Sequence, residues 1–155
     1  MSPPEEEVAG TEVPEKAEGE SGRFTIIGLS GWYFALPLER SAGSMEAVTL
    51  TRVPMAPEAV LGLTHLQGRI LTVLDLRHLL GLEGGGPPRR FFLVEDEGEQ
   101  VGMVVDSVED IVLVAPLDLE SIQVELSPGV RANAWGYFQW RGQPVVNLSV
   151  ERLLK

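Results

Sequence analysis

His65 and His78 are the two histidines of a 155-residue chain without cysteine, so metal or nucleophile chemistry has to begin from them. A zinc or transition-metal site needs a third or fourth donor, and none stands at suitable spacing from either. His78 follows Asp75 by three residues, close enough on one helical turn to hydrogen-bond it. A Ser/His/Asp set gains no meaning without the Gly-x-Ser-x-Gly elbow that would expose a serine, and the chain has none. Gly28-x-x-Gly31 and Gly84–Gly86 lack the Lys-Ser/Thr and the helix that complete a phosphate-binding loop. Two carboxylate pairs remain. Asp96/Glu97 falls in a turn, and Glu109/Asp110 falls on a strand whose neighbouring side chains point to opposite faces, so neither reads as an acid–base dyad. The absence of cysteine also excludes a disulfide framework, an iron–sulfur cluster and a thiolate nucleophile. No enzymatic constellation, metal or cofactor is expected.

The aromatic residues Trp135, Tyr137, Phe138 and Trp140 share one strand-length segment. On a binding protein such a group forms a ligand platform or an interface anchor. On a small β-barrel it is more often core on one face with scattered rings on the other, and that reading is preferred.

The elements that would carry these residues are short strands and turns. Residues 24–29 are apolar, Ser30-Gly31 is a turn signal, and Trp32, Phe34, Leu36 and Leu38 alternate, which predicts a β-hairpin. Residues 39–49 are expected to be weakly structured, because Ser41-Ala42-Gly43-Ser44 has no apolar side chain larger than alanine. Strands 61–66 and 69–74 meet at Gln67-Gly68, and Asp75 caps a helical stretch, 76–80, that Gly81 ends. Gly84 to Pro88 reads as a flexible connector. A second hairpin spans 91–95 and 101–105, strand pattern continues over 108–114 after a bend at Asp106-Ser107, and 117–122 suggests a helical turn. Strands 134–140 and 143–148 surround Arg141-Gly142, and Ser149 caps a last short helix, 150–154.

A net charge of −11 argues against nucleic acid, whose phosphates would repel this surface. The charge is uneven. Residues 1–22 hold seven Glu and one Lys with Val8 and Val13 as their branched apolar residues, too little to offset ordering entropy, so a disordered acidic tail is expected. No apolar run approaches the roughly 20 residues of a membrane helix. The acidic start does not resemble a secretory signal, so a soluble cytoplasmic protein is expected.

An internal repeat is the most informative regularity. Residues 60–80 lie on 134–154 without a gap, at an offset of 74, with Gly62/Gly136, Gly68/Gly142, Leu74/Leu148, Leu79/Leu153 and Leu80/Leu154 identical. Both copies predict strand, x-Gly turn, strand, polar cap and one helical turn. Repeated hairpins with few helices imply two similar β-barrels, and each, at about 60 residues, needs a core shared with the other.

On these residues the chain resembles the CheW family of chemotaxis coupling proteins. The likeness runs through 23–39, 50–82, 91–114 and 135–154, most specifically in Val53-Pro54, Gly62, the x-Leu-x-Gly turn and Asp75-Leu76-Arg77 before Leu79-Leu80. Val104-Val105-Asp106-x-Val108 is similar to a second family marker. The resemblance implies a mainly β fold of two SH3-like five-stranded barrels packed side by side with short helices, over residues 23–154. It further implies a stand-alone, non-catalytic scaffold joining the cytoplasmic tip of a methyl-accepting chemoreceptor to the regulatory domain of a CheA-type histidine kinase. No nucleic acid and no membrane insertion are expected.

The family's Asn-Leu-Arg-Gly turn is His65-Leu66-Gln67-Gly68 here, which removes a charge able to make a bidentate contact. Its Val-x-Glu-Ile motif, counted without a gap from Ala35-Leu36-Pro37, falls on Ser41, Gly43 and Ser44, and the second repeat's usual Asp is Ser149. The partner-binding residues so implied are His65, Gln67 and Gly68 at the turn, Ser41, Gly43 and Ser44, and Val105 and Val108 near a groove between the barrels. Two alternatives stay open: a divergent family member that fills arrays without coupling, and a barrel that binds a small ligand or peptide in its aromatic cluster.

Overall fold

The computed structural model describes residues 21–84 and 86–154, so the expected acidic tail lies outside the described residues up to position 20. The first strand already includes Gly22. Four hairpins build the fold. They are β1 (Gly22–Leu29) with β2 (Trp32–Pro37), β4 (Val60–Leu66) with β5 (Arg69–Leu74), β6 (Arg90–Asp96) with β7 (Glu99–Val105), and β10 (Ala134–Trp140) with β11 (Gln143–Leu148). Each turns on two residues, Ser30-Gly31, Gln67-Gly68, Glu97-Gly98 and Arg141-Gly142. In all four the first residue has φ between 51° and 53° and the glycine between 77° and 84°. Positive φ at both positions is type I′ geometry, whose twist matches that of the flanking strands.

The strands form two sheets, ordered β8–β1–β2–β11–β10–β9 and β3–β6–β7–β5–β4, where β3 is Ser41–Glu46, β8 is Ser107–Val114 and β9 is Leu117–Asp118. These sheets make the two barrels, and the chain does not fill them one after the other. β3 leaves the β1–β2 hairpin and pairs with β6 of the second barrel, while β8 leaves β6–β7 and pairs with β1 of the first. Each barrel therefore borrows its edge strand from the hairpin of the other.

The repeat at offset 74 holds to the residue. Val60 pairs with Leu74 and Gly62 with Val73, as Ala134 pairs with Leu148 and Gly136 with Asn147, with the same bulge between the two rungs. Both glycines sit under backbone: a Cβ on Gly62 would lie 2.6 Å from the Thr51 carbonyl oxygen, and one on Gly136 2.9 Å from that of Leu117. β5 then pairs in parallel with β7 as β11 does with β2.

A second repeat, at offset 67, emerges from the pairing. Ser41, Gly43, Ser44 and Met45 face Val94, Leu93, Phe92 and Phe91, as Val108, Asp110, Ile111 and Val112 face Ile27, Ile26, Thr25 and Phe24. Its identities, Arg23/Arg90, Phe24/Phe91 and Gly31/Gly98, are too few to stand out in the sequence.

Three departures from the sequence expectations follow from pairing and capping. Residues 41–46 form a strand despite their small side chains, because β6 supplies the backbone partners. Helix α2 (Pro128–Asn133) has no periodic signal in the sequence: Ser127 caps it by accepting from the Val130 N–H and Pro128 opens it, but Val130 is its one buried residue. Residues 117–122 divide into β9 and a 3-10 turn, Leu119–Ser121.

The largest core lies between the barrels. Ile27, Leu29, Phe34 and Leu36 meet Phe92, Val94, Met103 and Val105, together with Leu76 and Leu80 of α1 (Leu76–Leu80), Val130 of α2, and Val150 and Leu153 of α3 (Val150–Leu153). Each barrel keeps a smaller core of its own, around Phe24, Ile26 and Phe138 in one and Leu71, Val73 and Phe91 in the other. The expected shared core is thus the dominant one.

Candidate functional site

The family-like motif residues first prove to be fasteners. Arg77, on α1, donates through Nη2 to Asp106 Oδ1 at 2.7 Å and through Nε to Ser30 Oγ at 3.2 Å. The other Asp106 oxygen accepts the Ser30 N–H at 2.9 Å, and the Asp106 N–H donates to the Gly28 carbonyl. One carboxylate thereby ties α1 to the β1–β2 turn at the point where the chain crosses from β7 to β8. The Arg77 side chain is 12% exposed and that of Asp106 32%, so this pair is shielded from water far more than a surface ion pair.

His78 does not hydrogen-bond Asp75 through its ring. Its backbone N–H reaches Asp75 Oδ1 at 3.4 Å, while Nε2 lies 3.8 Å from Glu58 Oε1 at the surface. The N-cap carboxylate is already used by the Arg77 and His78 backbone N–H groups, which explains the difference. Among the described residues no group of three or more His, Cys, Asp or Glu could hold a metal ion. No helix there is long and apolar enough to cross a membrane.

The aromatic group belongs to the first barrel. Tyr137 and Phe138 are buried, Phe138 and Trp135 lie 6.3 and 6.1 Å from Phe24, and the Tyr137 hydroxyl donates to the Ser121 carbonyl. Trp140 meets Tyr33 edge-on at 5.2 Å, with the Arg141 guanidinium 4.5 Å over its ring.

The implied binding residues fall in three places. His65, Gln67 and Gly68 are exposed on the β4–β5 hairpin, where Gln67 and Gly68 form the turn itself. Val105 is fully buried in the central core, so it acts through packing and offers no contact surface. Ser41, Gly43, Ser44 and Val108 come together, although 64 residues separate Ser44 from Val108, in a groove of about 380 Å³ between the barrels.

This groove lies where equivalent strands of the two barrels face each other. Its lining falls almost wholly into mates of the offset-67 repeat: Thr25 with Phe92, Ser41 with Val108, Gly43 with Asp110, and Ser44 with Ile111, with Glu109 besides. The β3 wall is small and uncharged, while the β8 wall carries two carboxylates between two exposed apolar side chains. Glu109 and Asp110 do not read as an acid–base dyad in the sequence, and no local pattern there singles out Thr25, Phe92 or Ile111. The offset-67 repeat was the signal for them, and it is too diverged to read without the pairing.

Interleaved SH3-like barrels joined by a common core define a class of protein, a paired-barrel domain. Residues 23–155 match the family model described as CheW-like domain, and the chain belongs to that family. It is 30% identical over 97 residues to the chemotaxis protein CheW of Rhizobium meliloti, covering 61% of this chain, and spans slightly under two thirds (63%) of that relative's length. It is 25% identical over 124 residues to the chemotaxis protein CheW of Helicobacter pylori, covering 79% of this chain and 74% of the relative. The crystal structure of the scaffolding protein TtCheW from Thermoanaerobacter tengcongensis superposes with a TM-score of 0.70 over 88% of this chain and 94% of its own, at 22% identity.

Proposed function

We propose that this protein is a non-catalytic cytoplasmic adaptor of chemosensory signalling. It joins the cytoplasmic tip of a methyl-accepting chemoreceptor to the regulatory domain of a CheA-type histidine kinase. The observation that carries this reading is the open groove between the two barrels, set in a fold shared with proteins named for chemotaxis and scaffolding. Two edge strands flank it, so one face offers contacts from both barrels at once, as a coupling surface requires. The exposed β4–β5 turn with His65, Gln67 and Gly68 provides a second surface for the other partner. Calorimetric titration of the full chain with the receptor tip and with the kinase regulatory domain from the same genome tests this. Binding to both is expected, and binding to neither overturns it.

A second reading, an array filler that does not couple, is favoured by Gln67 and Gly43 at positions where the family carries charge. Gln67→Arg separates the two, because position 67 already accommodates a non-glycine side chain at φ 53°. Gly43→Glu does not serve, since φ there is 103° and a side chain costs about 1–3 kcal/mol in backbone strain. Under the filler reading Gln67→Arg creates kinase activation that the wild type lacks; activation by the wild type itself supports the adaptor.

A further inference from the structure

The two halves of the chain meet across an interface that occurs twice. β8 pairs with β1 as β3 does with β6, and β11 pairs in parallel with β2 as β5 does with β7. Each of these ladders joins a strand from residues 22–84 to one from residues 86–154. The backbone would pair as well if each half met a second copy of itself, β1 with β3 and β6 with β8, because the repeats present the same ladders. The central core is apolar on both sides, a character that discriminates weakly between partners of similar volume.

Charge does tell the halves apart. At the β7–β8 crossover the helix supplies the base and the crossover the acid, Arg77 to Asp106 at 2.7 Å. At the β2–β3 crossover the signs are reversed. There α3 supplies the acid, Glu151, and the crossover supplies the base, Arg40, which also lies 3.9 Å from Asp96. Arg77 and Glu151 are mates at offset 74. Glu39 is the offset-67 mate of Asp106, but it is exposed, and Arg40 beside it turns to the helix instead. The reversal leaves both bases in residues 22–84 and all three acids in residues 86–154.

We propose that the Arg77–Asp106 and Arg40–Glu151 ties determine the specificity of this interface, accepting the complementary half and rejecting the same half of a second copy of the chain. Like halves would set Arg77 against Arg40, or Glu151 against Asp106, and two-fold symmetry would repeat each clash. The four paired side chains are 12% to 50% exposed, so like charges brought together there give up water without gaining a counter-ion. Residues 86–154 carry eleven acidic and five basic side chains, which adds a general repulsion between two copies of that half.

The experiment is refolding of the full chain from urea at low and at high protein concentration, with the dimer fraction read by sedimentation velocity. Three proteins are compared: wild type, a neutral pair (Arg40→Gln with Glu151→Gln) and an inverted pair (Arg40→Glu with Glu151→Arg). Thermal melts check each fold, and Arg40→Asp with Glu151→Lys is a second inverted pair should the first not melt cooperatively. Inversion keeps opposite charges at the native contact but leaves each half with one base and one acid at its ties, so like halves attract. At low salt the inverted pair is expected to form about fivefold more dimer than the wild type, the gain of two partly exposed ion pairs. The neutral pair is expected to fall between the two, and the excess is expected to vanish near 1 M salt, where charges are screened within about 3 Å. A dimer made by exchange of complementary halves keeps the native signs and does not produce this order. If the ties served stability alone, the neutral pair, which has lost a contact, would form the most dimer. That order, or a dimer fraction equal in all three proteins, overturns the inference.

Discussion

Asp106 makes contacts that no neutral residue could reproduce. It accepts from Arg77 and from the Ser30 backbone, and its own N–H closes on Gly28, so α1, the β1–β2 turn and the β7–β8 crossover all meet at one carboxylate. Asp106→Asn keeps the shape and removes the charge, leaving a largely buried guanidinium without its counter-ion. A loss of about 2 kcal/mol is expected in urea unfolding. Arg77→Gln is expected to cost a similar amount, and the double variant no more than the worse single one, because both remove the same interaction. Asp75 and Ser149 were readable as caps, since a cap is local, and both accept the expected backbone N–H groups. The destination of the Arg77 side chain was not readable, because Asp106 lies 29 residues away.

Among the elements, the helices are too short to be stable alone and take their positions from contacts between the barrels. Ser127 Oγ donates to the Leu80 carbonyl, and Gly129 lies so close to the end of α1 that a Cβ there would be 2.4 Å from the same oxygen. In an unconstrained helix Gly→Ala gains up to about 1 kcal/mol. Here Gly129→Ala is expected to lose about 2 kcal/mol instead, read as a lower denaturation midpoint, because α1 and α2 must move apart. The hairpins were legible because x-Gly turns and period-two alternation are local signals. β3 was not. Its side chains are small and its strand conformation comes from pairing with β6, about 50 residues further along the chain.

For the whole molecule, the exchange of β3 and β8 makes the barrels interdependent. Division of the chain near residue 85 leaves β3, β4 and β5 apart from β6 and β7, and β1 and β2 apart from β8 to β11. Neither piece, made separately, is expected to show a cooperative melt by circular dichroism, whereas a mixture of the two is expected to regain one. Arg40 adds a charged tie at the crossover from β2 to β3: it bonds Glu151 of α3 and the Glu95 carbonyl and lies 3.9 Å from Asp96. Burial raises the Glu151 pKa, but hydrogen bonds from its own backbone N–H and from Arg40, with the Arg40 charge, outweigh it and hold the carboxyl below its ordinary value. A carboxylate lowered by folding contributes stability above its unfolded pKa and loses it as pH falls through the folded one. Glu151→Gln is therefore expected to lower the Tm at neutral pH, with the difference from wild type fading in acid below the ordinary glutamate range.

The four hairpins with their glycine-containing turns, the helix caps around Asp75 and Ser149, and the repeat that announces two like barrels are legible in the residues alone. The hairpins and caps are each written within about 20 residues, where turn chemistry, alternation and capping act, and the repeat is two such segments compared at an offset of 74. The tertiary structure alone decided which barrel each edge strand joins, and therefore which residues face each other across the groove. Strand partners there are chosen by burial of a common core and by backbone pairing across half the chain. That choice brought Gly43 and Asp110 into one groove and left the Thr25 hydroxyl buried there with no hydrogen-bond partner among the described residues.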